Sequence, residues 1–257
     1  MKSRISLSFL ALAGLIMVVG LACGTTTNTP TIAPPPPPTQ VILPTIAPTL
    51  IPTQPPPKPT IEPTIGPADY FTEDFSQDPG SLWSLVLRGP GRENTDKITT
   101  SFNNGQMRFN ITGNDIYAYY FYTPYTYTDV RLDLRVQNIG VNSQNISLVC
   151  RANGDDWYEF SVGSDGLWYL YAHQNGEYDQ LAQAGAATLK QGHATNDYTM
   201  ICVGDKIHMY VNETELPYSP FSPKNYFFTD GEVGFNISSL DVTPVIVDVD
   251  WFQISQP

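Results

Sequence analysis

The sequence of 257 residues is poor in positive charge, with 13 lysines and arginines against 25 aspartates and glutamates. A protein that binds nucleic acid needs clustered cations to neutralise phosphates, and binding to anionic lipid through the protein surface has the same requirement. We therefore expect neither nucleic acid nor an anionic lipid surface as a partner of the folded part. The acidic balance indicates no ligand by itself, since many exported proteins are acidic for solubility.

Motifs of nucleophilic and metal-dependent catalysis are also missing. His173, His193 and His208 have no zinc-ligand spacing, and there is no G-x-S-x-G elbow or Gly-rich phosphate loop. The segments that come closest to a pair of catalytic carboxylates are "DVD" at 248–250 and "ETE" at 213–215. For Asp248 and Asp250 we favour a solvated face, or hydrogen bonds to the N-terminal strand, over a catalytic role. The sequence thus leaves open whether the chain is an enzyme, and leans against it.

Only three cysteines are present, and the first follows an export signal. Lys2 and Arg4 precede an apolar run over residues 5–22, the layout of a signal peptide. The motif "LACG" around Cys23 resembles a bacterial lipobox, which implies a lipoprotein signal at 1–22 and acylation of Cys23. Because Gly20 stands where lipoproteins usually have Leu, Val or Ile, an ordinary cleaved signal or an uncleaved anchor remain alternatives. All three kinds of signal place the remainder of the chain outside the cytoplasm. We expect it to be anchored to a bacterial membrane by the lipid, or to be secreted if the lipobox is not used.

Proline is concentrated between residues 25 and 67, which hold fifteen of the 23 prolines and the loose repeat "PTIAP", "PTIEP", "PTIGP". Proline fixes φ and removes a backbone donor, so such a stretch is extended and semi-rigid. At about 3 Å per residue it spans on the order of 100 Å. We predict a disordered Pro/Thr-rich stalk at 23–67, rather than a Pro-rich recognition ligand, and one domain at 68–257.

The two remaining cysteines, Cys150 and Cys202, each lie inside an apolar stretch that is typical of a strand. With Cys23 lipidated they form an even pair in an oxidising compartment. We predict a disulfide between them, which would stabilise the fold by about 2–5 kcal/mol. Two buried free thiols are the alternative.

Apolar residues after position 68 alternate with a period of two, and no segment keeps a helical period over three turns. Three segments show the alternation most clearly: "YTDVRLDLRVQN", "DKIHMYVN" and "DWYEFSVG". Their predicted inward positions are Val130, Leu132, Leu134 and Val136; Ile207, Met209 and Val211; and Tyr158, Phe160 and Val162. More than ten such strands predict an all-β fold, a two-sheet antiparallel β-sandwich, with an eight-stranded barrel as the alternative.

The most aromatic stretch is "DIYAYYFYTPYT" at 115–126. Parity places Ile116, Ala118, Tyr120 and Tyr122 on one face, and Tyr117, Tyr119 and Phe121 on the other. We expect Ile116 to mark the buried side, Tyr117 and Tyr119 to be exposed, and Pro124 to end the strand.

The segments "FTEDFSQDPGSLW", "SLVCRANGDDWYEFSVGSDGLWYLYAHQNGEYDQL", "YTMICVGDKIHMYVNETEL" and "DGEVGFNI" together resemble the concanavalin A-like jelly roll. The similarity spans residues 70–255 and is closest to the laminin-G-like and 3-keto-disaccharide hydrolase-type modules of bacterial extracytoplasmic proteins. It implies two curved sheets whose concave face or loop rim binds or cleaves carbohydrate in many relatives.

The same resemblance bears on catalysis and metals. Relatives that cleave β-glucans carry a strand with an E-x-D-x-x-E pattern, which this chain lacks. Relatives often hold a structural calcium ion where the first and last strands meet. Here the oxygen donors for such an ion would be Glu73, Asp74, Asp248 and Asp250, and no other metal or cofactor is expected.

Sugars present apolar C–H faces and a rim of hydroxyls, which suit aromatic rings flanked by polar side chains. The residues that strand parity directs outward are Trp157, Glu159, Tyr169, Tyr171 and Tyr210 (beside His208), with Tyr117 and Tyr119. We expect them to bind a carbohydrate or a cell-envelope component, in a non-catalytic module held at the membrane through its lipid only. The alternatives are an extracellular glycoside hydrolase of this fold, a structural or protein-interaction module, and tyrosines that merely decorate an ordinary sheet.

Overall fold

The structure is a computed structural model that describes residues 68–257. The predicted signal at 1–22, the acylation of Cys23 and the stalk at 23–67 lie outside the described residues and stay predictions. No helix of the described part is long and apolar enough to cross a membrane.

Fifteen strands and two short 3-10 turns make up the described chain. The strands are β1 Phe71–Glu73, β2 Trp83–Arg88, β3 Ile98–Phe102, β4 Met107–Ile111, β5 Tyr117–Tyr127, β6 Val130–Asn138, β7 Gln144–Asn153, β8 Asp156–Gly163, β9 Leu167–Gln174, β10 Glu177–Gly185, β11 Thr195–Val203, β12 Lys206–Val211, β13 Thr214–Glu215, β14 Gly231–Ser239 and β15 Val245–Ser255. The 3-10 turns span Gly80–Leu82 and Thr95–Lys97.

The strands form two antiparallel sheets. The eight-stranded sheet has the order β13-β12-β11-β6-β15-β4-β3, with β1 added beside β15, and the seven-stranded sheet has the order β10-β9-β8-β7-β14-β5-β2. The two-sheet sandwich predicted from the sequence is confirmed, and the eight-stranded barrel is wrong. Strands distant in sequence lie side by side, as β14 does between β5 and β7.

The main core lies between the sheets and follows the predicted alternation. Leu132 and Leu134 of β6 are fully buried, whereas Arg131 and Arg135 of the same strand face outward and pair with Asp133 and Asp197. Aromatic rings fill the centre, where Trp83 stacks on Tyr120 with ring centroids 4.9 Å apart. Each fully buried large apolar side chain contributes about 1.5–3 kcal/mol.

The predicted disulfide is confirmed. Cys150 of β7 and Cys202 of β11 are bonded, with Cα atoms 6.7 Å apart, and so link the two sheets. Next to it the buried Arg151 donates hydrogen bonds to three backbone carbonyls, those of Thr128, Phe228 and Gly204. The guanidinium thus fixes three loops at the end of the sandwich that carries the disulfide.

Pro124 does not end its strand, contrary to the sequence-based prediction. Strand β5 runs on to Tyr127, but its pairing with β2 stops at Tyr122, and a register shift interrupts its pairing with β14 beyond the same residue. Pro124 lies in that interval, where its missing N–H removes no ladder hydrogen bond.

The acidic pair near the C-terminus is structural. Arg108 of β4 donates hydrogen bonds of 2.7 and 2.8 Å to the two carboxylate oxygens of Asp248, which is buried. Asp250 falls at a register shift and accepts a hydrogen bond from Gln106 at 3.4 Å. The expected solvated face, or contact with the N-terminal strand, is therefore wrong for Asp248, whose partner is the neighbouring β4.

The donors considered for calcium do not gather. Among residues 68–257 no three His, Cys, Asp or Glu side chains are placed to hold a metal ion. The Glu73 carboxylate instead accepts the N–H of Phe75, and burial raises its pKa.

Candidate functional site

The outer face of the seven-stranded sheet carries a second apolar cluster. Its buried members are Tyr119, Phe121, Val149, Ala152 and Trp157, with Val86 and Tyr117 packed against them. Parity explains the cluster: Tyr119 and Phe121 point away from the main core, whereas Tyr120 and Tyr122 point into it. At these positions the sheet is therefore apolar on both faces.

The same face is strongly concave. The hydroxyls of Tyr119 on β5 and Tyr178 on β10 are 2.7 Å apart, although four strands lie between them. At about 4.8 Å per strand, a flat sheet would separate their backbones by roughly 24 Å, and two tyrosine side chains cannot span that distance. The sheet must curl, and Tyr178 closes one side of the resulting hollow.

The hollow is a cavity of about 180 Å³, which we call the Glu159 pocket. It is lined by Tyr117, Tyr119, Asn145, Glu159, Ser161, Tyr171, Tyr178, Asn236 and Ser238. The residues come from six strands. The registers explain why they meet, because Tyr119, Asn236, Ser147 and Ser161 are successive partners in one row across β5, β14, β7 and β8.

Glu159 lines this pocket and is only 4% exposed. Its Oε2 accepts the Tyr119 hydroxyl at 2.7 Å and the Trp157 indole N–H at 3.3 Å. Its Oε1 accepts the Asn236 amide at 3.4 Å. All three donors are neutral, and they hold the carboxylate in a fixed position.

Trp157 is held from behind by His173. Their rings stack with centroids 3.9 Å apart, and the Tyr178 ring lies 4.3 Å from the imidazole. The imidazole Nδ1 is 2.6 Å from the carbonyl oxygen of Asp155, so this nitrogen carries the proton and donates. Burial lowers the pKa of His173, which favours the neutral ring.

Tyr171 and Tyr169 of β9 follow one another along the rim of the pocket. Both are partly exposed, and their rings stack at 5.7 Å. Burial, and then the nearby Glu159 carboxylate, raise the pKa of Tyr171 to about 12. Tyr169 does not line the pocket, and its hydroxyl donates to Asp165 at 3.3 Å.

A larger hollow of about 440 Å³ adjoins the pocket toward the edge strand β2. Val86, Arg88, Phe121 and Glu232 contribute to its lining, and Phe121 stacks on Tyr119 at 5.8 Å. Phe121 thus lines the larger hollow, Tyr119 lines the Glu159 pocket, and the two stacked rings connect the two depressions.

The structure brings together four of the predicted residues, namely Tyr117, Tyr119, Glu159 and Tyr171. Their expected exposure holds only in part: Tyr117 is partly exposed, but Tyr119 is fully buried, because its ring packs beneath the pocket. Trp157 is also buried, at 1% exposure, beneath Tyr119 and His173.

Tyr210 does not share this face. It lies with His208 on β12, in the opposite sheet, where His208 contacts Glu215. The expected common face of Tyr210 with the other rings is therefore wrong, since parity gives the side of a strand but not the sheet to which the strand belongs.

Apart from Glu159, sequence reasoning missed the polar lining of the pocket. Asn145 and Asn236 stand out in the sequence only as the first residues of N-x-[ST] triplets, the second of which ends at Ser238, and Ser161 carries no motif. Tyr178 lies on β10, whose segment "EYDQLAQAG" has no clear alternation. The sequence does show polar residues at alternate positions of several strands. These positions can be recognised as one site only once the order of the strands in the sheet is known.

Comparisons with known proteins support the fold. No family model and no curated protein matches the sequence. Among solved structures, a β-glucanase of Bacillus licheniformis has 14% identity, covers 74% of this chain and 99% of its own, and superposes with a TM-score of 0.54. A family 16 glycoside hydrolase from the mixed-linkage glucan locus of Bacteroides ovatus, in complex with a glucan product, has 12% identity, coverages of 72% and 99%, and a TM-score of 0.55.

A protein of unknown function with a galectin-like fold from Bacillus subtilis gives 12% identity, coverages of 72% and 94%, and a TM-score of 0.53. At such identities the similarity bears on architecture and leaves function to be argued from the site. The chain thus has the concanavalin A-like jelly-roll fold that its sequence patterns resemble.

Proposed function

We propose that this protein is a non-catalytic carbohydrate-binding module whose ligand occupies the Glu159 pocket. The observation that carries the proposal is the pocket itself, in which a buried carboxylate, two amides and two serine hydroxyls converge among four tyrosines. Sugars need this combination of directional polar groups and flat apolar surface.

The groups are arranged for recognition of a hydroxyl-rich ligand. Asn145 and Tyr171 are partly exposed at the rim, whereas Glu159, Ser161 and Asn236 are buried at the floor. The floor is fixed by its own hydrogen bonds before any ligand arrives, which lowers the ordering cost of binding. The adjoining hollow beyond Phe121 gives room for a ligand longer than one sugar unit.

Binding without cleavage is favoured by the count of carboxylates. Glycosidases of the common mechanisms use two, about 5–10 Å apart. The lining of the Glu159 pocket has one, and the next outward positions on β8 after Glu159 are Ser161 and Gly163. Ser161 and Gly163 therefore supply no second acid beside Glu159 on this strand.

We further propose that Cys23 is acylated and that the stalk at 23–67 holds the module away from a bacterial membrane. The export signal, the lipobox-like "LACG" and the proline content support this location. Labelling with a fatty-acid analogue tests it, with loss of label expected for Cys23→Ala.

A glycan array probed with the full-length chain tests the carbohydrate proposal. We expect binding that Tyr171→Ala weakens by up to about tenfold, because an aromatic contact contributes about 0.5–1.5 kcal/mol. Tyr210→Ala is the matched control: it removes a partly exposed tyrosine from the opposite sheet and should leave binding unchanged. Absence of glycan binding, or equal effects of the two substitutions, would contradict the proposal.

A further inference from the structure

The charge of Glu159 has no cationic partner in the described chain. Its three hydrogen-bond donors are neutral, and none of the residues that line the pocket is a lysine or arginine. Arg88, which pairs with Tyr117 in the register of β2 and β5, is bound by Asp155 instead. A buried carboxylate without a cation is costly, and a ligand that brings a positive charge would offset that cost.

The carboxylate also keeps an acceptor site for such a ligand. An ionised carboxylate has about four lone-pair sites. Two donors, Tyr119 and Trp157, occupy Oε2, whereas Oε1 accepts only the long contact from Asn236. Oε1 therefore has capacity for a further, stronger donor.

The walls of the pocket favour a cation as well. Four tyrosines, Tyr117, Tyr119, Tyr171 and Tyr178, line it together. The faces of aromatic rings attract ammonium groups, and cages of several rings around one cavity are a known way to bind them. Because the chain carries a formal charge of −12, its long-range field also attracts cations.

From these features we infer that the pocket selects an amino sugar, with the protonated amine at the Glu159 carboxylate and the ring against the tyrosines. This inference rests on the proposed carbohydrate-binding function and names its ligand class. A cavity of about 180 Å³ corresponds to roughly six waters at ~30 Å³ each, which suits a single small ring rather than a peptide segment.

Calorimetric titration of the full-length chain tests the inference with three tetrasaccharides: a glucosamine tetramer, its fully N-acetylated counterpart and a glucose tetramer. At slightly acidic pH, where the amines are protonated, we expect the glucosamine tetramer to bind at least about tenfold more tightly than the other two. Glu159→Gln keeps the shape and removes the charge, so it should abolish this preference. Glu93→Gln removes the same charge from an exposed side chain, and should leave the preference unchanged.

The outcomes separate the two ideas. Equal or tighter binding of the N-acetylated or glucose tetramer by the native chain overturns the amino-sugar inference and leaves carbohydrate binding standing. If no tetramer binds, both the amino-sugar inference and the carbohydrate-binding proposal are contradicted. Binding of choline alone also contradicts both, since the ammonium would then be recognised without a sugar. If Glu159→Gln does not fold, Tyr171→Leu replaces it, because loss of one of the tyrosine rings that line the pocket should also reduce the preference for the glucosamine tetramer. An unchanged preference in whichever variant is used contradicts the inference.

Discussion

The indole of Trp157 stacks on the imidazole of His173 at 3.9 Å, on the side of the sheet that faces away from the main core. The outer face of a sandwich sheet is usually polar. Here the pair belongs to an aromatic layer of buried side chains that supports the Glu159 pocket, so aromatic residues on this face contribute to folding as well as to the lining of the pocket.

Trp157→Ala should destabilise the protein strongly. The change leaves a void beneath Tyr119 and removes the indole N–H from Glu159. We expect the free energy of unfolding to fall by about 3–5 kcal/mol, the range for a buried aromatic truncated to alanine. Denaturant titration measures this, and Tyr210→Ala on the opposite sheet should change it by no more than about 0.5 kcal/mol. Similar midpoints for the two variants would show that Trp157 is not a core residue.

His173 should make stability depend on pH in the mildly acidic range. Because burial lowers its pKa in the folded state below the ordinary value of 6.5, the unfolded chain binds the proton more readily. The contribution of neutral His173 to the free energy of unfolding is complete above about pH 6.5. It is lost as the pH falls from that value through the lower folded-state pKa. The thermal unfolding midpoint should fall as the pH is lowered across this window, and it should fall less steeply in His173→Gln. Equal slopes for the native chain and the variant would show that His173 is not the group responsible.

Reduction of the disulfide should weaken the link between the sheets. Cys150 and Cys202 are 52 residues apart in sequence, and opening a loop of that length costs about 2–5 kcal/mol. We expect a lower unfolding midpoint for the double variant Cys150→Ala, Cys202→Ala. Intact mass before and after reduction verifies the bond in the native chain, and an unchanged mass would exclude it.

Asp248→Asn should affect stability and not ligand binding. The ion pair with Arg108 lies on the opposite sheet from the Glu159 pocket, and Arg108 remains half-exposed to water. Because solvent screens the ion pair, we expect the free energy of unfolding to fall by no more than about 1 kcal/mol. Titration with the preferred tetrasaccharide should give the native affinity. A large loss of affinity would instead place the binding site on the eight-stranded sheet.

The sequence predicts the architecture well because period-two alternation is a local property. The faces of β6, β8 and β12 come out as predicted, down to Tyr158 and Phe160 in the main core and Trp157 on the other side. The disulfide also follows from counting cysteines and noting their apolar surroundings.

The site itself depends on relationships that alternation does not contain. Whether Tyr210 shares a face with Tyr171 is decided by strand order, which places β12 and β9 in different sheets. Whether Tyr119 is exposed depends on the curl that brings the Tyr178 hydroxyl within 2.7 Å of its own. Both are long-range properties, set by closure of the sandwich rather than by any single segment.

The residues of the pocket floor contribute to folding and, in the proposed function, to ligand binding, which bears on how the proposed ligand preference can change over evolution. Most substitutions of Tyr119 or Trp157 would be eliminated by loss of folding before any new ligand is tested. Tyr171 and Asn145, which stand partly in solvent, can vary at little cost. Diverging copies of this gene should therefore drift at the rim while the floor stays constant, and a directed-evolution library has most to gain from those two positions.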